Sequence, residues 1–458
     1  MKMRQIQGTL LAVSMLAAPA VFAQETVASP APAPSEAPPP VEAAAPAPVS
    51  TPEPVAAAPA LDGRLAAVEI QAAGTQETVG AMQATLDGLK KIKISGFIQG
   101  RYEWHQDAMD GWSNTTAKAQ PQNRFYVRHG YLGAKYEGKN AEYFMQIDAN
   151  NNDGIVLKDA EATFVDTWTP FNLRLTLGQF KIPFGYEILQ SDADRELPER
   201  SAVILGLFPG DRDRGLRLQG SYDIFRLRVA LVNGASFGQK DPANYQGVTQ
   251  NGYDPNGFKT VVGRLGVDLG FLAGGFSGMW GRTLDTVTLP VPTTPAIPAS
   301  YLYYEQLRLG ADVQGYVDVP AVGGLALKGE IIWARKKNLD YPVLGPADSC
   351  LDRQSLGWML TAVQNIGPYL GVALRLDQYD PLLSGSLPGQ CADDKTIPSS
   401  SQKEIANRDK DRVTRFGAAL VVHGSANIKL TLSYEHPWEQ EGAKKSDDVA
   451  VAQLQARF

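Results

Sequence analysis

Asp448-Val-Ala-Val-Ala-Gln-Leu-Gln-Ala-Arg-Phe458 decides how the rest of the chain is read. Counting back in twos from Phe458 gives Ala456, Leu454, Ala452 and Ala450, while Arg457, Gln455 and Gln453 fall between them. A strand sends alternate side chains to opposite faces, so one face of this segment suits lipid and the other suits water. Earlier segments repeat the pattern. Leu227, Val229 and Leu231 alternate with Arg226, Arg228 and Ala230. Leu370, Val372, Leu374 and Leu376 alternate with Gly371, Ala373, Arg375 and Asp377. An arginine facing hydrocarbon at mid-bilayer costs roughly 2–4 kcal/mol, so these charges are expected to face a watery lumen.

Sixteen such segments lie between Lys91 and Phe458. The even number predicts an all-β fold, a 16-stranded antiparallel transmembrane β-barrel. Strands are expected near Asn172–Phe180 and Arg214–Tyr222, for example, and near Tyr301–Gln314. Tight turns such as Tyr136-Glu-Gly-Lys139, Tyr222-Asp-Ile-Phe225 and Asn365-Ile-Gly-Pro368 alternate with long connections at 181–211, 235–258, 283–300, 338–353 and 381–412. Barrels of this class have short periplasmic turns and long external loops, so the alternation predicts which end faces out. Asn151-Asn-Asp-Gly154 is the one short turn expected on the outer side. Tyr301, Tyr303, Trp333, Tyr341 and Trp438 fall near strand ends, where interfacial aromatic girdles sit.

The residues before the barrel divide into three. Lys2 and Arg4 precede an apolar run ending at Val21-Phe22-Ala23, the pattern of a secretory signal peptide over 1–23. Its removal would change the formal net charge of −6 to −8 by deleting those two positive charges. Residues 24–60 are a Pro/Ala-rich spacer that cannot bury a core and is expected to be disordered. At about 3.1 Å per residue it would reach roughly 110 Å, which opens contact with the cell wall as a second role. Residues 61–90 carry Leu61, Leu65, Val68, Ala72, Thr75, Val79, Met82, Leu86 and Leu89. Their alternating four–three spacing is a coiled-coil repeat, expected to join copies of the chain, with a single amphipathic helix as the alternative. The barrel domain is then 91–458. The acidic balance, with no basic tract, excludes a nucleic-acid partner. No stretch past the signal is a membrane helix, so the expected location is the outer membrane of a Gram-negative cell, with the N-terminal segment in the periplasm. Cys350 and Cys391 fall in predicted loops of an oxidising compartment and are expected to form a disulfide.

The third connection on the outer side is the most informative. It reads Leu177-Gly-Gln-Phe-Lys-Ile-Pro-Phe-Gly-Tyr-Glu-Ile-Leu-Gln-Ser-Asp-Ala-Asp-Arg-Glu-Leu-Pro-Glu-Arg-Ser201. Through Gly178, Phe180, Phe184-Gly185, Glu187, Ser191 and Glu199-Arg200, with Asp159-Ala160 upstream, the chain resembles the porin O and P family, the phosphate-selective porins. The resemblance extends over about 92–458. It implies a homotrimer of sixteen-stranded barrels in outer-membrane lipid, with this loop folded inward as the constriction. Lys181, Glu187, Ser191, Asp192, Arg195, Glu199 and Arg200 are the candidate constriction residues. Arg128, Asp159, Arg217, Arg226, Arg228, Arg264, Arg308 and Arg375 are the candidate pore-lining ones.

Charge at a narrow point selects ions at close range. The loop holds Lys181, Arg195 and Arg200 against Glu187, Asp192, Asp194, Glu196 and Glu199, three positive against five negative. Where phosphate-selective members carry lysines, an ungapped match sets Ile188 and Ala193. Phe97 follows Gly96 where a basic residue is expected, and an arginine pair becomes Arg128-His129. The expected function is therefore a water-filled porin for passive diffusion of small hydrophilic solutes and ions, leaning to cations. Phosphate specificity is not expected. The alternatives are a phosphate- or anion-selective channel and a barrel whose main role is anchoring to the cell wall.

Other motifs carry less. Gly234-Ala-Ser-Phe-Gly238 matches a nucleophile elbow but lacks the following helix. Asp148 to Gly154 lacks the calcium ligand at position twelve of an EF-hand. Of His105, His129, His423 and His436, only the first two are expected to approach each other. No enzyme activity, cofactor or metal is predicted.

Overall fold

Sixteen strands form one ring. They are β1 (Ile92–His105), β2 (Arg124–Glu137), β3 (Ala141–Asn150), β4 (Gly154–Val165), β5 (Arg174–Lys181), β6 (Arg212–Tyr222), β7 (Phe225–Val232) and β8 (Thr260–Asp268), followed by β9 (Leu272–Thr286), β10 (Tyr301–Val319), β11 (Gly323–Asn338), β12 (Arg353–Ile366), β13 (Leu370–Asp380), β14 (Val413–Ser425), β15 (Ile428–Glu439) and β16 (Val449–Arg457). In this computed structural model each strand pairs antiparallel with its sequence neighbours, and β1 pairs with β16 to close the barrel. The structure describes residues 61–106, 123–150, 154–208, 210–234, 257–286, 301–338, 353–381, 383, 412–439 and 448–458. The signal and spacer (1–60), Cys350 and Cys391, Tyr341, and Ala235 to Gly238 of the elbow-like motif lie outside those residues.

Closure is what makes the sheet compatible with a membrane, because no edge is left with unpaired backbone groups in hydrocarbon. The side chains sort by parity. On β1, Phe97, Gln99, Arg101 and Glu103 are buried inside, while Ile98, Tyr102 and Trp104 face out. On β7, Leu227, Val229 and Leu231 face out and Ala230 and Val232 are buried inside. On β16, Leu454 faces out, and Val451, Gln453 and Gln455 face in. The exposed outer face is thus aliphatic and aromatic, matched to lipid. A ring of this strand number encloses an aqueous lumen unless something fills it.

Strand limits differ from the sequence reading in two useful places. β6 begins at Arg212 instead of Arg214, which brings Arg212 and Asp213 into the wall opposite Lys181 and Phe180 of β5. β10 continues to Val319 instead of Gln314, since Gly315 still pairs with Leu327 of β11. The two N-terminal histidines do not meet, because His129 stands opposite Gln99 and His105 opposite Val449.

The chain divides into two units between Asp87 and Gly88. Ahead of the barrel, helix α1 (Leu61–Lys90) leaves Val79, Met82, Leu86 and Leu89 exposed along the predicted repeat.

Candidate channel constriction

Between β5 and β6 the chain does not leave the barrel. Residues 182–208, which include the short helix α2 (Ala202–Leu207), turn into the lumen and are held there in two ways. The first is apolar. Ile182, Phe184, Ile188, Val203, Ile204, Leu207 and Phe208 pack with Phe180 against inward-facing Ala230, Val232, Val262, Met279, Ile332 and Ala334 of the wall. Burying one large aliphatic or aromatic side chain contributes roughly 1.5–3 kcal/mol, so several together favour the inward position strongly. The inner wall from β7 to β11 is apolar where the loop lies on it, a feature unsuited to a bare aqueous pore.

The second way is polar. The loop turns at Gly185, whose φ of +61° is left-handed and whose added Cβ would lie 1.8 Å from Glu330 Oε1 on β11. Only glycine fits. There the Gly185 amide donates to Ser277 Oγ at 2.9 Å, and the Tyr186 and Glu187 amides donate to Glu330 Oε2 at 3.3 and 3.0 Å. Farther on, the Ala202 amide donates to Asp377 Oδ1 of β13 at 2.8 Å. Lys429 of β15 donates to the Ala193 and Arg195 carbonyls at 2.6 and 3.0 Å, and Gln455 of β16 to the Ala193 carbonyl at 3.2 Å.

Each constriction residue singled out in the sequence has a partner. Lys181 donates to the Gln190 carbonyl at 2.6 Å across the base of the loop. Glu187 accepts the Ser201 amide at 2.9 Å and the Ser201 hydroxyl, joining two parts of the loop. Ser191 Oγ accepts the Ala193 amide at 3.3 Å. Asp192 pairs with Arg195 and accepts the Tyr131 hydroxyl at 2.7 Å. Glu199 takes Arg128 in two bonds of 3.1 and 3.2 Å and also pairs with Arg101. Arg200 pairs with Asp211, and its carbonyl accepts from Arg415 at 2.9 Å. Burial pushes the Glu199 carboxyl up, but Arg128 and Arg101 outweigh it and hold the group well below the usual carboxylate range. Asp192 and Asp211 are likewise held low, against burial, by Arg195, Lys181 and Arg200 around the first and by Arg200, Arg212 and Lys181 around the second.

The pore-lining candidates scatter more. Asp159 is taken by Arg212 in two 2.9 Å bonds, and Arg217 bonds Glu161 at 2.6 Å while its guanidinium lies 4.5 Å from the Phe180 ring centre. Arg264 pairs with Asp312, and Arg375 donates to the Glu199 carbonyl at 2.7 Å. Arg308 stacks on Phe208 and donates to Gln306. Arg226 stays at the β6–β7 turn, donating to the Phe225 carbonyl at 3.0 Å, and is not brought to the loop. Arg228 has no carboxylate within ion-pair distance among the described residues. Sequence reasoning missed Arg101, Tyr131, Arg212, Glu330 and Lys429. All five sit at inward positions of strands, so parity was the available signal.

Ile188 and Ala193, the positions matched to lysines, are buried, not water-facing. Ile188 sits in the apolar cluster, and Ala193 packs with Phe97 and Tyr131. Two sites where the resemblance implies positive charge, Phe97 and Ala193, therefore meet in one apolar contact. His129 bonds Asp148 at 2.8 Å.

Among the described residues, two of the larger cavities border the loop. One, of about 320 Å³, is lined by Lys181, Arg212, Arg217 and Arg228 against Asp159, Glu161 and Asp192. The other, of about 430 Å³, lies toward the short-turn ends of β10 to β14 and includes Glu196, Lys328, His423 and Lys429.

Residues 98–258, from β1 through the connection after β7 and including the inward loop, match the family described as phosphate-selective porin O and P. The matched segment and the closed barrel support an outer-membrane channel for small solutes. No curated protein matches the porin's sequence. Among solved structures, OprB of Pseudomonas putida is similar at 11% identity, with 83% of this chain and 97% of that one covered and a TM-score of 0.49. The outer membrane channel DcaP of Acinetobacter baumannii is similar at 13% identity over 80% and 97%, TM-score 0.49. An anion-selective porin from Comamonas acidovorans is similar at 12% identity over 80% and 99%, TM-score 0.46.

Proposed function

We propose that this porin is a general diffusion channel for small hydrophilic solutes with a weak preference for anions, and that it does not hold phosphate tightly. The observation that supports this is Arg228. In the narrow cavity beside the loop, four cationic side chains line the wall against three carboxylates, and Arg228 is the one left unmatched. The loop's own excess of negative charge, on which the sequence leans to cations, is answered by wall arginines and lysines that the loop sequence does not contain. A charge at a narrow point acts on passing ions directly, whereas charges in a wide lumen are screened within about 8–10 Å by salt. Phosphate gains little here, because Phe97, Ile188 and Ala193 supply apolar contact where a binding cluster would need donors.

Further parts of the reading concern assembly. β1 starts at the short-turn end, which in this class of barrel is periplasmic, so residues 24–90 belong to the periplasmic side. The exposed Val79, Met82, Leu86 and Leu89 favour a bundle of helices from three copies, with the spacer reaching toward the cell wall. The selectivity test is the reversal potential of the reconstituted porin in a potassium chloride gradient. A shift toward the chloride equilibrium potential is expected, with chloride conductance unaffected by millimolar phosphate. A shift toward potassium refutes the anion preference, and strong block by phosphate refutes the weak holding. Chemical cross-linking of the native protein tests the trimer, and monomer alone would overturn it.

A further inference from the structure

The cavity of about 320 Å³ has two kinds of wall. Arg217 and Arg228 contribute guanidinium groups from β6 and β7, and Phe144 of β3 joins Pro183 and Leu189 of the loop in an apolar surface. Arg217 is matched by Glu161. Arg228 stands directly opposite Arg264 in the β7–β8 register, and Arg264 is matched by Asp312. Like charges placed opposite one another repel, and here one of the two is already neutralised. The uncompensated charge therefore belongs to Arg228 and lies in the same cavity as an inward-facing phenyl ring.

A small inorganic anion uses only half of such a site. It keeps its hydration shell and gains nothing from Phe144, Pro183 or Leu189. An anion with a flat apolar body meets both walls, its head at Arg228 and its body removing apolar surface from water. The volume is near the lower end of ligand pockets, about 300–1,000 Å³, which limits the body to roughly one ring.

We propose that this cavity is a transit site for small organic anions carrying a single aromatic ring, held by Arg228 and the Phe144–Pro183–Leu189 surface. It rests on the anion-leaning reading above and names the solute class. Holding is weak by necessity, since a conducting site must release what it takes in.

The test uses the full porin in planar bilayers with chloride current as the readout and two sulfonates as probes. Benzenesulfonate and methanesulfonate share a head group that stays ionised, so only the ring differs. Benzenesulfonate is expected to half-block at about tenfold lower concentration, equivalent to about 1.4 kcal/mol. Arg228→Gln weakens block by both probes. Phe144→Ala removes the benzenesulfonate advantage and leaves methanesulfonate unchanged. Phe144→Ser together with Leu189→Ser provides a second disruption, and unblocked chloride conductance reports that each variant has inserted intact. If no Phe144 variant inserts, Leu189→Ser alone is expected to reduce the advantage, and no reduction overturns the proposal. Equal half-block by the two sulfonates overturns it. So does an aromatic advantage that survives both Arg228→Gln and Phe144→Ala. A chloride-leaning reversal potential in those cases leaves the general anion preference standing, whereas a potassium-leaning one removes both.

Discussion

Replacing Glu199 with glutamine isolates one polar hold on the loop. The substitution keeps the side chain's shape and one acceptor oxygen but removes the charge that faces Arg101 and Arg128. Removing one partner of a buried ion pair costs about 3–5 kcal/mol, chiefly because the other charge stays behind unpaired. Two features set this case at the lower end. Glu199 is about one-third exposed (31%), and Arg101 retains bonds of 2.8 and 3.1 Å to Gln453. A loss of about 3 kcal/mol changes the ratio of loosened to seated loop by roughly 100-fold. Trypsin reads that ratio, since Arg195 and Arg200 lie in the loop and become cleavable only when it loosens. Where loosening is fast relative to cleavage, the nicking rate follows the loosened population. Glu199→Gln should therefore be nicked after Arg195 and Arg200 about 100 times faster than the parent, with the barrel's circular dichroism unchanged. Adding Arg128→Gln should cost less than the two single changes together, by about 1–3 kcal/mol. Equal nicking rates in parent and Glu199→Gln would show that the pairing does not hold the loop.

Gly185→Ala should loosen the same loop at its other anchor, since a left-handed residue with a Cβ costs about 1–3 kcal/mol before its contact with Glu330 is counted; single-channel recordings should become noisier, and quiet traces would argue against the seat. The acid dependence follows from Glu199, Asp192 and Asp211, whose lowered values mean that their stabilisation is complete above the ordinary carboxylate range and is lost as pH falls through the lowered values. Nicking should be flat from pH 7 down to about 4.5 and rise only in stronger acid, read with an acid-active protease; a rise between pH 7 and 5 would refute the assignment. Deleting residues 24–90 should leave single-channel conductance unchanged while reducing cross-linked trimer, because the barrel is a separate unit.

The wall was legible because lipid and water impose a period of two on every strand, and parity at Phe458 or Leu231 needs no knowledge of the partner strand. The inward course of residues 182–208 was not legible from that pattern. Phe184, Ile188 and Ile204 read as a loop with scattered apolar residues, and their partners Val232, Val262 and Ile332 are supplied by strands far along the chain. The same distance hides the partners of the loop's charges. Glu199 meets Arg101 and Arg128, which lie 98 and 71 residues away. Arg212 was missed for a local reason, because β6 starts two residues earlier than the alternation alone marks. Ile188 and Ala193 stand where the family carries lysines, and their burial makes them packing residues here.

The seam between β1 and β16 is where the two ends of the sheet meet, and it is the pairing that spans the longest stretch of chain. Closing it carries the largest loop entropy of any pairing in the ring. Gln99 of β1 donates to the Asp192 carbonyl at 3.2 Å, while Gln455 of β16 donates to the next carbonyl along, that of Ala193, also at 3.2 Å. Arg457 of β16 reaches Asp194 at 3.0 Å from the same side. The inward loop thus grips both lips of the seam from within, like a clasp inside a bracelet. To unzip the cylinder along this seam, these bonds must break together with the backbone ladder. The segment that narrows the passage also keeps the ring from springing open.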